Sequence, residues 1–323
     1  MKKNKSILVT GGAGLIGSHL IDRLLEKGYY VTCVDNFITG RRENLAHLAS
    51  HENFNLINAD ISLPSTDYRL PIIDYQYIFH LASPASPQNY LKNPIATYKG
   101  NSFGTHYLLE FAKQQKARFL YASTSEIYGD PKIHPQPETY WGNVNPNGTR
   151  ACYDESKRFG EMACKVFERK HGLDVRIARI FNTYGPRNDP ADGRVIPNFI
   201  TQALGHQPIT IYGDGQQTRS FCYVDDLVEG LLKFMFKSKL KGKVINLGNP
   251  EEFKVLELAE KIKKMTQSKS KIIFTTKPED DPNRRKPDIT KAKKLLDWQP
   301  KISFEQGLPP TIDYFKKVLK NEK

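Results

Sequence analysis

Cysteine is scarce in this chain, with four residues in 323: Cys33, Cys152, Cys164 and Cys222. None stands at a metal-ligand spacing from another, so no metal centre is expected. The thiols read as buried groups of a cytoplasmic protein kept reduced. Long apolar runs are missing too, and no stretch reaches the length a bilayer span requires. Met1 to Val9 places Lys2, Lys3 and Lys5 ahead of an apolar run, as a secretory signal does. Gly11 to Gly17 then interrupt that run and Asp22 and Arg23 follow, so a buried strand leading into a turn fits better. There is no internal repeat and no low-complexity tract. Asn4-Lys5-Ser6 and Asn147-Gly148-Thr149 match the glycosylation pattern, but a cytosolic chain does not use it.

What is present begins with Ser6-Ile7-Leu8-Val9-Thr10, a short buried strand. Gly11-Gly12-Ala13-Gly14-Leu15-Ile16-Gly17 follows, and Ser18 to Lys27 reads as a helix. Glycines here tighten the turn, let backbone N–H groups approach a pyrophosphate, and let helix pack on strand. Tyr29 to Val34 is a second strand ending at Asp35, eighteen residues past Gly17. A carboxylate there accepts from the ribose hydroxyls of a dinucleotide. It favours NAD over NADP, whose 2′-phosphate it repels, while Arg41 and Arg42 pull the other way.

Strands are predicted near 6–10, 29–34, 53–58, 75–81, 116–123 and 173–180, with clear helices at 94–115 and 152–171. This alternation predicts an α/β fold, a doubly wound parallel sheet of the Rossmann-like kind. After Gly185-Pro186-Arg187 the pattern breaks into loops, short strands and helices. The expected division is an NAD-binding domain over 1–183, with 221–248 returning to it, and a smaller C-terminal α/β substrate lobe over 184–323.

Tyr153 and Lys157 stand four apart and share a helix face. An ammonium beside a phenol favours the phenolate and is expected to lower its pKa. Such a phenol takes a proton from a sugar hydroxyl while hydride leaves the same carbon. Ligands in doubly wound sheets bind beyond the carboxyl ends of the strands. Asp60 follows the third strand there, Leu81-Ala82-Ser83 the fourth, Ser123-Thr124-Ser125-Glu126 the fifth and Ile180-Phe181-Asn182 the sixth. Thr124 and Glu126 converge, on this reading, on the reactive face of a nicotinamide beside Tyr153.

The glycine loop, Ser123 to Gly129 and the Tyr153/Lys157 pair resemble the extended short-chain dehydrogenase/reductase family of nucleotide-sugar enzymes. Further stretches resemble its uronate-decarboxylating branch. They are His80 to Pro87, Tyr140 to Pro146, Arg150 to Glu155, Asn246 to Glu252 and Arg285-Lys286-Pro287-Asp288. The likeness covers essentially the whole chain, with one small departure at Leu15, where an aromatic is common. The resemblance implies NAD as a tightly held cofactor and UDP-glucuronate as substrate. Tyr153 would be the base toward the sugar C4 hydroxyl and Lys157 its partner. Thr124 would hydrogen-bond near C4, and Glu126 would donate a proton or position water near C5. Arg285 would face the sugar carboxylate.

The cofactor would lie against Gly11, Gly14, Leu15, Ile16, Gly17, Asp35, Asn36, Phe37, Thr39 and Gly40. Asp60, Ile61, Leu81, Ala82, Ser83, Tyr153 and Lys157 would complete its site. The substrate would meet Pro84, Ala85, Ser86, Tyr90, Lys99, Asn182, Arg194, Tyr212, Arg219 and Arg285. A homodimer through helices 94–115 and 152–171 is implied as well.

Sibling chemistries differ at single positions. The 4,6-dehydratases carry an acid where this chain has Ser125, whose hydroxyl is too weak an acid to protonate a leaving hydroxyl. The 4-epimerases usually lack the residue matching Glu126. An oxidative decarboxylase that stops at the 4-keto pentose shares both Glu126 and Arg285. A non-catalytic NAD-binding regulator would typically have lost Tyr153 or Lys157. Net charge is +13. The lysines are spread, and the densest run, Lys233 to Lys243, is interrupted by only two aromatics, Phe234 and Phe236. A solvated helix end and loop explain that run better than a nucleic-acid surface, and a positive field would also draw in a di-anionic nucleotide sugar.

Overall fold

The structure is a computed structural model describing residues 5–68, 70–276 and 284–321. Its strands in chain order begin with β1 (Ser6–Thr10), β2 (Tyr30–Asp35), β3 (Phe54–Asn58), β4 (Tyr75–His80), β5 (Arg118–Thr124), β6 (Val175–Ile180) and β7 (Thr183–Tyr184). They continue with β8 (Ile209–Tyr212), β9 (Thr218–Ser220), β10 (Cys222–Tyr223), β11 (Val244–Leu247), β12 (Glu252–Lys254), β13 (Ile272–Thr275) and β14 (Arg284–Arg285). The helices are α1 (Leu15–Glu26), α2 (Pro87–Lys92), α3 (Pro94–Lys99), α4 (Thr105–Gln115) and α5 (Ala151–His171). After them come α6 (Val195–Leu204), α7 (Val224–Phe236), α8 (Val255–Met265), α9 (Thr290–Leu296) and α10 (Phe304–Asn321).

Seven strands form one sheet in the order β11-β6-β5-β4-β1-β2-β3, and every pairing in it is parallel. Parallel strands need crossovers, and helices cover both faces. One face packs Leu20, Leu24, Leu227 and Leu231 of α1 and α7 against Ile7 and Val9. The other packs Leu108 and Ala112 of α4 and Cys164 and Phe167 of α5 against Leu8 and Phe119. The first of these cores runs on through Phe199, Leu258, Phe304 and Phe315, so the C-terminal elements share a core with the sheet. A three-stranded sheet, β12-β9-β14, and a two-stranded one, β13-β8, lie in that C-terminal part.

The predicted helix at 94–115 is interrupted. Gly100–Gly104 form a π-helical turn between α3 and α4. Glycines favour the helix little, and the buried Asn101 in this turn donates from Nδ2 to Ser156 Oγ, 3.0 Å away on α5. The fifth strand starts at Arg118 rather than 116 because Lys116 takes a left-handed conformation, φ 54°, and ends α4. Among the described residues no helix is long and apolar enough to cross a membrane.

Candidate active site

The carboxyl ends of β1, β2, β4, β5 and β6 open on one cleft of about 660 Å³. At its floor is the glycine turn. Gly11 has φ +76°, and a Cβ there would stand 2.5 Å from the backbone nitrogen of Ala82, past the end of β4. A Cβ on Gly17 would run into the Gly11 carbonyl. Helix α1 therefore starts tight against β1, with Gly14 at its N-cap, no side-chain cap and no acidic residue in its first turn. Its free N–H groups and the positive end of its dipole point where a pyrophosphate belongs. At the tip of β2 the Asp35 carboxylate accepts from Ala13 N at 2.9 Å and from Phe37 N at 2.8 Å. Burial pushes its carboxyl up from the ordinary value, and those N–H groups offset this in part. The cradle fits a dinucleotide, with Gly11, Gly14 and Gly17 for the phosphates and Asp35 for the ribose.

Tyr153 and Lys157 sit in the first two turns of α5. The helix lies close on the sheet because Gly160 gives Tyr121 room, and a Cβ there would collide with the tyrosine ring. Both side chains are buried. The Tyr153 ring stacks on Tyr90 of α2 with centroids 5.0 Å apart, and the Tyr90 hydroxyl is buried with no hydrogen-bond partner among the described residues. Lys157 Nζ donates to the Ala122 carbonyl at 2.9 Å and lies 5.8 Å from the Tyr153 ring centre. The structure adds a cost of burial that the spacing does not show. Burial pushes the Tyr153 phenol well above its ordinary value, and the hydrogen bond with Thr124 only partly offsets it. Lys157 is itself drawn down to about 7 by burial.

Thr124 ends β5 and caps the short turn that follows, its Oγ1 accepting from Glu126 N at 3.2 Å. That turn presents Glu126 between two guanidinium groups, Arg150 at the start of α5 and Arg285 in β14. Burial alone would raise the Glu126 carboxyl, but Arg285 and then Arg150 outweigh it and hold it well below the usual carboxylate range. The two guanidinium groups thus favour the charged form of Glu126, which suits the positioning role. The Arg285 guanidinium is buried, gives a second hydrogen bond to the Gly129 carbonyl at 3.3 Å, and has an Nε–H with no partner among the described residues.

The cleft wall also holds Leu15, Ile16, Asn36, Thr39, Gly40, Asp60, Ile61, Leu81, Ala82 and Ser83. Pro84, Ala85, Ser86, Asn182, Arg194, Tyr212 and Arg219 complete the expected residues found there. Arg194 is held by Asp192 through Nε at 2.6 Å and Nη2 at 2.8 Å, and the largely buried Arg219 donates to the Thr218 carbonyl at 2.9 Å. Two expected residues do not line the cleft. Lys99 is exposed at the end of α3, whose inward residue is Thr97. The Phe37 ring packs on the core and carries the Arg42 guanidinium 3.8 Å above it. Its contribution to the site is the backbone N–H on Asp35.

Sequence reasoning missed Arg150 and Asp154. Arg150 and Asp154 were visible only within the family-like stretch Arg150 to Glu155, with nothing to place Arg150 on Glu126. Asp154 is buried, with one oxygen that has no partner among the described residues and the other 3.9 Å from Arg150 Nε. Burial, and next the Glu126 charge, push its carboxyl up. Among the described residues no cluster could hold a metal ion.

A glycine cradle for a dinucleotide beside a buried Tyr–Lys pair defines the class, a short-chain dehydrogenase/reductase of the nucleotide-sugar type. The family model described as GDP-mannose 4,6 dehydratase matches residues 8–311, and the chain belongs to that epimerase/dehydratase family. It is 53% identical over 321 residues to UDP-glucuronic acid decarboxylase 1 of Xenopus tropicalis, covering 99% of this chain and 74% of that one. Among solved structures it is similar to an epimerase of Methanothermobacter thermautotrophicus (TM-score 0.91, 31% identity, 98% of this chain and 94% of that one). It is also similar to the UDP-glucuronic acid 4-epimerase of Bacillus cereus in complex with UDP-glucuronic acid and NAD (TM-score 0.88, 31% identity, 97% and 99% covered).

Proposed function

We propose that this protein is an NAD-dependent decarboxylase that converts UDP-glucuronate to UDP-xylose. The observation that carries the reading is one cleft lined by both Tyr153, suited to a sugar C4 hydroxyl, and the buried guanidinium of Arg285, suited to a C5 carboxylate. Relatives named UDP-glucuronic acid decarboxylase, 49–53% identical over 97–100% of this chain, support it.

Gly11, Gly14, Gly17 and Asp35 hold the dinucleotide. The chemistry NAD supplies when bound is reversible hydride acceptance at the sugar C4. Tyr153 takes the C4 hydroxyl proton as that carbon is oxidised, and Thr124 holds the oxygen. Arg285 and Arg150 orient the uronate carboxylate, and Arg194 and Arg219 meet the diphosphate. A ketone at C4 makes the sugar a β-keto acid. The C5–C6 bond then breaks, its electron pair forms an enolate with the C4 ketone, and carbon dioxide leaves. C5 takes a proton from water that Glu126 orients, the C4 ketone is reduced again, and Tyr153 returns its proton to the oxygen.

Residues 1–183 with 221–248 serve the cofactor and the rest of 184–323 serves the sugar nucleotide. The protein works as a homodimer in the cytoplasm. Exposed Phe103, Phe159, Met162 and Val166 on and beside α5 support the dimer, and sedimentation as a monomer would refute it. The free cysteines, three of them buried, accord with a reducing compartment. Incubation with UDP-glucuronate and no added metal, followed by NMR of the sugar, tests the activity. UDP-xylose is expected. Release of a 4-keto pentose supports an oxidative decarboxylase, and a 6-deoxy-4-keto sugar from dTDP-glucose a dehydratase.

A further inference from the structure

Arg285 sits in a two-residue strand, too short to fix its own place. Strand β9 holds one side, with Arg285 opposite Arg219. The other side is held by Gln136, a wholly buried residue of the loop between β5 and α5. Gln136 N donates to the Lys286 carbonyl at 2.9 Å, and Lys286 N donates to Gln136 Oε1 at 2.8 Å. Asp288 N donates to the Gln136 carbonyl at 3.0 Å. Pro287 between them has no N–H to give, so Gln136 takes both backbone donors of residues 286–288. Gln136 Nε2 is spent on the Ile133 carbonyl at 2.8 Å.

Asn246, at the end of β11 and also wholly buried, closes the clasp. Its Nδ2 donates to the Gln136 carbonyl at 2.9 Å and the Asp288 carbonyl at 3.1 Å. Its Oδ1 accepts from the Tyr128 hydroxyl at 2.8 Å. Arg179 of β6 donates to that hydroxyl at 2.9 Å and grips Glu161 with two bonds of 2.9 and 2.8 Å. Glu161 in turn accepts from Ser123 Oγ at 2.5 Å, one residue before Thr124. A continuous set of hydrogen bonds thus joins the end of β5 to the backbone that bears Arg285. A buried network with its members satisfied specifies one arrangement.

We infer that Gln136 and Asn246 are positioning residues that set Arg285 against the catalytic end of the sheet and so place the uronate carboxylate. The inference rests on the reading of Arg285 given above. Neither residue lines the cleft, so each acts only through the segment it holds. Loss of the clasp leaves the glycine cradle and the diphosphate arginines in place and loosens the carboxylate site alone.

The test is calorimetric titration of the NAD-loaded protein with UDP-glucuronate, UDP-glucose and UDP. Gln136→Leu is expected to lose roughly tenfold more affinity for the uronate than for the other two, as misplaced binding groups do. Combined with Arg285→Ala it should cost the uronate nothing beyond Arg285→Ala alone, since both act on one contact. Gln136→Glu, whose protonated carboxyl keeps one donor and one acceptor, should restore uronate affinity at acid pH and lose it as pH rises. Asn246→Asp keeps the acceptor for Tyr128 but sets a carboxylate against two carbonyls, and it carries the same comparison if Gln136→Leu does not fold. Equal losses for all three ligands, or additive losses in the double variant, overturn the inference. A selective Arg285→Ala beside an unselective Gln136→Leu sinks the clasp alone, and an unselective Arg285→Ala sinks the reading of Arg285 with it.

Discussion

Lys157 should weaken the fold it serves. Its ammonium is almost wholly buried, and burial draws its pKa from 10.5 to about 7. At pH 9 the folded protein then has it mostly neutral while the unfolded chain keeps it charged. Where the unfolded state binds more protons, stability rises with pH. The penalty is therefore full below about pH 7 and is relieved as pH climbs toward 10.5. Every tenfold loss of proton affinity on folding is worth about 1.4 kcal/mol, so the full penalty is on the order of 4–5 kcal/mol. Lys157→Met removes it, and also removes the hydrogen bond to Ala122, worth about 1 kcal/mol. The net expectation is a variant about 3 kcal/mol more stable at pH 6, with little advantage left by pH 10. Calorimetric unfolding of the cofactor-free protein across pH 6–10 reads this directly, beside NAD retention and turnover, which should both fall. A variant less stable than wild type at pH 6, or an advantage that does not change with pH, would refute the reasoning.

Two further outcomes follow from the same geometry. Tyr153→Phe should leave nucleotide binding nearly intact and cost about 10²–10⁴-fold in turnover, as loss of a positioned base does; near-normal turnover would remove Tyr153 from the mechanism. Glu126→Gln withdraws the anion that competes with the substrate for Arg285 and Arg150, so KM for UDP-glucuronate should fall while kcat also falls. A raised KM in steady-state kinetics would show that Glu126 assembles the carboxylate site instead of contesting it.

The sequence by itself determined the frame. Alternating apolar strands and helices require a parallel sheet with both faces covered, because crossovers must pass over it. Gly11, Gly14 and Gly17 declared the cofactor turn by their spacing, Gly11 and Gly17 because only a missing Cβ permits their close approaches, and Asp35 followed at the spacing a second strand imposes. Tyr153 and Lys157 were legible because four residues on a helix is a local distance. Tertiary structure decided what depends on residues far apart in the chain. Glu126, Arg150 and Arg285 carry no mutual signal, yet the fold brings them together and favours the charged form of Glu126. Burial acts on Tyr153 against the expected pull of Lys157, since desolvation depends on the atoms packed around a group and no spacing records it. The same holds for Lys99, which the turn of α3 faces to solvent, and for Gln136, an unremarked loop residue that the fold places against the backbone bearing Arg285. Periodicity and short spacings report which element a residue belongs to. Only the packed chain sets which charges share a dry site, and with them the protonation state of each group.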